Sequence, residues 1–173
     1  QYIDNALQST WISGGPYLDQ LEQHFTQLTD SKHALAVSNG TAAIQLAYMA
    51  LCIRPGDEIV IPGFGYLAAA NTALAMAAKP VFCEVDPHTW CAQAENIEPH
   101  ITSATRAIVV VHTYGNVCDM DPILDLAKNR GLPVIEDAAE AFPSYYKNRL
   151  AGSLGTIGTY SFHATKTITT GEG

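Results

Sequence analysis

Short continuous apolar runs alternate with helically spaced ones along this chain. Between Pro16 and Thr29, Leu18, Leu21, Phe25 and Leu28 recur at helical spacing, which predicts an amphipathic helix there. A short apolar strand is expected over residues 34–37, followed by a helix rich in Ala, Leu, Ile and Met over 41–51. Arg54-Pro55-Gly56-Asp57 reads as a turn, and residues 58–61 as a strand closed by Pro62-Gly63. The pattern continues with a helix over 66–77, a strand over 80–85, a short helix over 95–101 and a β-branched strand over 107–111. Residues 122–130 read as a helix stopped by Gly131, residues 133–135 as the next strand and 156–162 as another.

The strand runs are apolar throughout instead of alternating, so both of their faces must be covered. Together with the β-α-β-α order this predicts an α/β fold, a mostly parallel sheet with helices on both sides in three layers. Ligands of such sheets bind at the carboxyl ends of the strands. With no internal repeat, low-complexity segment or long linker, one domain over residues 1–173 is the simplest account.

Composition narrows the function classes. Hydrophobic residues make up 47% and charged residues 15% of the 173 positions, too apolar for a disordered tail. A net charge of −8 argues against basic nucleic-acid binding. No uncharged apolar run reaches the roughly 18 residues of a membrane span, and no basic segment followed by an apolar run opens the chain as a signal peptide would. Cys52, Cys83, Cys91 and Cys118 have no CxxC spacing, and three lie in apolar segments. They read as buried free thiols in a reducing cytoplasm, and no metal site is expected.

Three segments could carry chemistry, each beside a predicted strand end. Ser38-Asn39-Gly40-Thr41-Ala42 opens a helix whose outward amides suit a phosphate, and it would equally serve as an ordinary N-cap. In Pro133-Val134-Ile135-Glu136-Asp137-Ala138-Ala139-Glu140, two acids follow a buried strand, and a helical turn would bring Asp137 and Glu140 to one side. A carboxylate there needs a positive partner, for which a protonated pyridine nitrogen would serve; an N-cap followed by an exposed acid is the other reading. In Ser161-Phe162-His163-Ala164-Thr165-Lys166-Thr167, a lone lysine follows an apolar strand. Such a lysine is either a surface residue or one that loses its charge easily enough to form a Schiff base. Taken in this order, a phosphate-binding turn, a pyridinium carboxylate and an imine lysine are what a pyridoxal phosphate site requires.

Longer stretches carry a family resemblance. They are Trp11-Ile12-Ser13-Gly14-Gly15-Pro16, Ser38-Asn39-Gly40-Thr41-Ala42-Ala43, Pro55-Gly56-Asp57-Glu58-Ile59-Val60-Ile61-Pro62, Val111-His112-Thr113-Tyr114-Gly115, Glu136-Asp137-Ala138-Ala139-Glu140-Ala141 and Ser161 through Gly173. On these the chain resembles the sugar-nucleotide aminotransferases of the DegT/StrS type, within the fold type I pyridoxal-phosphate enzymes. Its Lys-Thr-Ile-Thr-Thr-Gly-Glu-Gly ending is especially similar to the perosamine-synthase type.

The resemblance implies roles. Lys166 would hold the cofactor as an imine, and Asp137 would pair with the pyridine nitrogen. Glu140 falls where the family often has Gln, facing the ring's 3-hydroxyl. Gly40, Thr41 and Ala42 would bind the phosphate, joined by Ser161. Tyr66 falls where an aromatic ring stacks on the pyridine; a core aromatic at a helix N-terminus is its other reading. His163 would support the site from behind, or be a satisfied core histidine. The Trp11–Gly15 loop would lie near the sugar-nucleotide entrance. The implied cofactor is pyridoxal 5'-phosphate, with glutamate as amino donor and a nucleotide-linked keto-deoxysugar as acceptor. The resemblance further implies a cytoplasmic homodimer without nucleic-acid or membrane partners. Family members have a second, C-terminal small domain, so residues 1–173 would be an incomplete pyridoxal-phosphate-binding large domain, from a fragment or a truncated form. A non-catalytic cofactor-binding or scaffold remnant is the alternative. A related sugar dehydratase would carry a histidine where Lys166 stands. Nucleotide-binding glycine motifs do not fit, since Gly152, Gly155 and Gly158 have the wrong spacing.

Overall fold

The computed structural model describes residues 1–173. The chain divides into two compact units, Gln1–Ala36 and Val37–Gly173.

The first unit holds two helices, α1 (Tyr2–Ser9) and α2 (Pro16–Thr29). Pro16 stands in the first turn of α2, where its missing N–H costs nothing, and Asp30 closes the helix in the left-handed conformation. Tyr2 and Tyr17 meet edge to face with ring centroids 5.5 Å apart. No residue of either helix is buried. The strand expected over residues 34–37 does not form. No neighbouring strand shares a ladder with it, and the Ala36 N–H is donated instead to the Glu22 carboxylate at 2.9 Å.

The second unit is built on a five-stranded parallel sheet. Its strands are β1 (Glu58–Pro62), β2 (Lys79–Cys83), β3 (Thr105–Val111), β4 (Val134–Asp137) and, last in the chain, β7 (Ile157–Thr159), in the spatial order β2-β1-β3-β4-β7. Helix α3 (Gly40–Ala50) precedes β1, and α4 (Ala68–Ala75), α5 (Ala94–Ile97) and α6 (Met120–Arg130) run between the strands. One sheet face, with Ile59, Ile61, Val109 and Ile135, packs on Ile44 and Tyr48 of α3 and Ala69 and Ala73 of α4. The other, with Val60, Ile108, Val110 and Val134, packs on Ile97 of α5 and on Met120 and Ile123 of α6. This is the expected three-layer arrangement, and it explains why β1 is buried at every position. Each buried Ile or Val contributes roughly 1.5–3 kcal/mol.

Element ends differ from the sequence expectation where local chemistry decides. Helix α4 begins at Ala68, so Tyr66 lies on the loop before it. Strand β4 runs through Asp137, so Asp137 ends a strand instead of opening a helical turn. Gly131 ends α6 with φ 65°, a left-handed cap that suits glycine. A hairpin of β5 (Tyr145–Tyr146) and β6 (Arg149–Leu150) was not legible. Its two-residue turn, Lys147-Asn148, has positive φ at both positions without the usual glycine. Cys83, Cys91 and Cys118 are buried free thiols, whereas Cys52 is exposed. No helix of the chain is long and apolar enough to cross a membrane.

Candidate active site

The site lies at the carboxyl edge of the sheet. Asp137, the last residue of β4, pairs in register with Val111 of β3 and Thr159 of β7. It is 6% exposed. Its Oδ1 accepts the Ala139 N–H at 3.1 Å. Burial pushes the Asp137 carboxyl above its ordinary range, with the Ala139 N–H and the Lys166 charge pulling the other way. A buried carboxyl with a single N–H donor from the chain suits one more cationic N–H partner.

Lys166 comes from the turn after β7. Its backbone N–H is held by the His163 carbonyl at 2.9 Å, and its ammonium lies 3.6 Å from Glu140 Oε1. Glu140 Oε2 accepts the Tyr114 N–H at 3.0 Å. Tyr114, Glu140, Thr165, Lys166 and Thr167 line a cavity of about 230 Å³. Loops following β3, β4 and β7 thus meet around the lysine.

The phosphate candidate is the start of α3. Asn39 caps the helix by accepting the Ala42 N–H at 2.8 Å, so the N-cap reading is correct. The amides of Gly40 and Thr41 remain directed outward, as the first amides of any helix are. A Cβ on Gly40 would stand 3.1 Å from the Ser161 Cβ and 3.3 Å from the Tyr160 carbonyl. Glycine therefore lets the helix start approach Ser161, which is buried at the start of the segment leading to Lys166.

The structure therefore brings Asp137, Glu140 and Lys166 together, and Gly40 with Ser161. His163 is half-buried, its Nδ1 3.1 Å from the Thr165 hydroxyl, so it orders the lysine turn and is not a core histidine. Thr41 is exposed and Ala42 half-buried on the first turn of α3. Tyr66 is 80% exposed, which overturns its reading as a core aromatic. Trp11 to Gly15 belong to the first unit.

Two features went unread in the sequence. The Tyr114 backbone orients Glu140, in a turn where Tyr114 itself has φ 53°; the signal was a Tyr-Gly pair just past a strand. Around it the rings of Phe64, Trp90 and Tyr114 form a chain, with centroids 5.6 and 5.8 Å apart. The second feature is a buried His112–Glu136 contact of 2.9 Å. Its signal was a pair of polar residues at the ends of otherwise apolar strands.

The comparisons with known proteins agree with this geometry. The chain is 47% identical over 174 residues to the GDP-perosamine synthase of Escherichia coli O157:H7, covering 100% of this chain and 48% of that protein. It is 43% identical over 173 residues to the spore coat polysaccharide biosynthesis protein SpsC of Bacillus subtilis, covering 100% of this chain and 44% of the other. The X-ray structure of the aminotransferase from Psychrobacter cryohalolentis superposes with a TM-score of 0.93 at 39% identity, covering 98% of this chain and 44% of that one. The putative sugar aminotransferase Spr1654 of Streptococcus pneumoniae, in its PLP-form, superposes with a TM-score of 0.91 at 28% identity, covering 96% and 46%. The chain spans about half the length of the curated relatives it matches. A family profile matches residues 1–173 in full, and the chain belongs to the DegT/DnrJ/EryC1/StrS aminotransferase family.

Proposed function

We propose that residues 1–173 are the cofactor-binding large domain of a pyridoxal-phosphate-dependent sugar aminotransferase. It would move an amino group from glutamate to a nucleotide-linked keto-deoxysugar. The observation that carries this reading is the meeting of Lys166, Glu140 and Asp137 at the carboxyl edge of one parallel sheet. Support comes from relatives named GDP-perosamine synthase and from a neighbour solved in PLP- and PMP-forms.

The residues fit the cofactor. Gly40 at the start of α3 approaches Ser161, so the Gly40 and Thr41 amides with the Ser161 hydroxyl would hold a phosphate, and the buried Asp137 carboxylate would face a ring nitrogen. When bound, pyridoxal phosphate supplies an electron sink in its protonated pyridine ring. Asp137 would keep that proton on the ring by its charge. Glu140, oriented by the Tyr114 N–H, would meet the ring hydroxyl, and Tyr66 would stack on the ring. Lys166 would hold the cofactor, and its amine, once free, would serve to move a proton at the donor's α-carbon. His163 steadies the turn that presents Lys166. The same reading places the protein in the cytoplasm as a homodimer.

The test is to add pyridoxal phosphate, follow the visible absorbance band of an imine, reduce with borohydride and map the labelled peptide. Label on Lys166 supports the assignment; label on Lys147 or Lys128 overturns it. Loss of the band on adding glutamate marks a competent half-reaction. A band indifferent to glutamate marks a cofactor-binding remnant.

A further inference from the structure

Directly behind Asp137 lies a charged group that the proposed chemistry leaves unused. Glu136 is fully buried in β4. Its Oε2 accepts the Gly152 N–H at 2.9 Å and lies 2.9 Å from His112 Nε2. Its Oε1 accepts the Leu154 N–H at 2.6 Å and the Gly155 N–H. Four donors thus converge on two oxygens, which an amide cannot imitate, since its NH₂ would face two N–H groups. The network assigns the His112 tautomer as well. His112 Nδ1 accepts the Cys118 N–H at 3.3 Å, so the ring proton sits on Nε2 and is donated to Glu136.

Both ends of this network lead to the cofactor residues. The His112 backbone N–H is donated to the Asp137 carbonyl at 3.1 Å, tying the carboxylate's strand end to the end of β3. The turn held by Glu136 is packed so closely that side chains do not fit. A Cβ on Gly155 would stand 2.8 Å from the Val134 carbonyl, and one on Gly152 would stand 2.4 Å from the Tyr160 hydroxyl. That hydroxyl donates to the Ala151 carbonyl at 2.8 Å. Tyr160 immediately precedes Ser161, and its carbonyl and Ser161 are the atoms Gly40 approaches. The position of Ser161 against the helix start is therefore set through this turn.

We propose that Glu136 and His112 are positioning residues: the buried carboxylate, oriented by the imidazole, fixes the 152–155 turn and so sets Ser161 and Asp137 at the spacing a phosphorylated pyridine requires. This rests on the cofactor reading above. A hydrogen bond to a buried charge, once removed, leaves the carboxylate free to re-orient, and the loss transmitted to binding is about tenfold.

The experiment titrates pyridoxal phosphate into the unaltered chain, His112→Gln and His112→Leu, reading the imine band and the hydrogen exchange of the Gly152, Leu154 and Gly155 amides. Gln can both donate to Glu136 and accept from Cys118, whereas Leu only fills volume. The expected result is near-normal cofactor affinity and amide protection in His112→Gln, with about tenfold weaker binding and faster exchange in His112→Leu. In the unaltered chain, cofactor binding should slow exchange at the same three amides, because coupling between sites is reciprocal; this reading needs no variant to fold. A His112→Leu chain that binds as tightly as the unaltered one, or amides indifferent to the cofactor, overturns the proposal and leaves the cofactor reading intact. No band in the unaltered chain overturns the cofactor reading and this proposal with it.

Discussion

The Lys166 ammonium stands 3.6 Å from Glu140 Oε1, while the other Glu140 oxygen is held by the Tyr114 N–H at 3.0 Å. The carboxylate is thus fixed from one side by the loop after β3 and faces the lysine with the other. The ion pair itself is partly open, with side-chain exposures of 20% for Lys166 and 34% for Glu140. Solvent screening then limits its worth to about 0–1 kcal/mol. Its significance is geometric: it holds the lysine at the cavity, where the proposed cofactor would take its nitrogen.

Glu140→Gln keeps an acceptor for the Tyr114 N–H and removes only the charge facing Lys166. The expected cost in stability is about 0.5 kcal/mol, and the pyridoxal phosphate band should persist. Urea melts and cofactor titration check both. A variant that no longer forms the imine would show that Lys166 depends on the Glu140 charge.

Asp137 behaves in the opposite sense. Burial raises its folded-state pKa above that of the unfolded chain. Between those two values the native state binds more protons than the unfolded state, so this group's contribution to stability falls as pH rises through the window. Above it the apoprotein carries the full cost of a buried charge. Asp137→Asn should therefore leave the apoprotein at neutral pH at least as stable as the unaltered chain. Pyridoxal phosphate affinity should fall by about tenfold or more with the loss of a charged hydrogen-bond partner. Paired denaturant melts and titrations read the two effects separately. A destabilised apoprotein would overturn the argument that the carboxylate is kept for ligand binding at the expense of the fold.

Most of the frame was legible because the parallel strands announce themselves. The apolar run in β3 can only be buried on both faces, and Gly131 ends α6 as its left-handed cap demands. Residues 34–37 have the same apolar character, yet form no strand, since strand identity depends on a neighbour that local sequence does not reveal. The same limit hid β5 and β6, two residues each, with Lys-Asn where a turn glycine would have been noticed. Lys166, Asp137 and Gly40 could be singled out as candidates because each stands beside a strand or helix end. The four-donor environment of Glu136 could not, because its Gly152, Leu154 and Gly155 donors come from main-chain amides 16 to 19 residues away.

That environment has a pH signature. Burial opposes the ionised form of Glu136, but the His112 hydrogen bond and the Gly155 and Gly152 N–H groups prevail and hold its carboxyl below its ordinary value. A lowered folded pKa means stability that is present above the unfolded pKa and lost as pH falls through the folded one. Urea midpoints should therefore drop on acidification below about pH 4.5, the ordinary value. Glu136→Gln should be flatter there and, at neutral pH, less stable by about 3 kcal/mol, the cost of leaving buried N–H donors without an acceptor. Equal acid sensitivity in both proteins would mean that Glu136 is not the group responsible.

The last prediction concerns assembly. The first unit buries no residue of α1 or α2 and exposes Tyr2, Ile3 and Ile12 at 74%, 75% and 74%. In the second unit β2 is an edge strand, and Phe82 on it is 48% exposed. An open sheet edge and exposed large apolar side chains both favour association. Lys79, at the start of that strand, pairs with Glu58 on the neighbouring one, so the edge charge that would discourage pairing is partly neutralised. The chain should therefore be at least a dimer in solution at micromolar concentration. If a second copy completes the cofactor site, cofactor affinity should fall on dilution, because binding and assembly are linked. Light scattering coupled to gel filtration, with the cofactor band followed at several protein concentrations, measures both. A monomer that keeps its cofactor undiminished on dilution would show that one copy of the 173 residues builds the site unaided, and the proposed homodimer would fall.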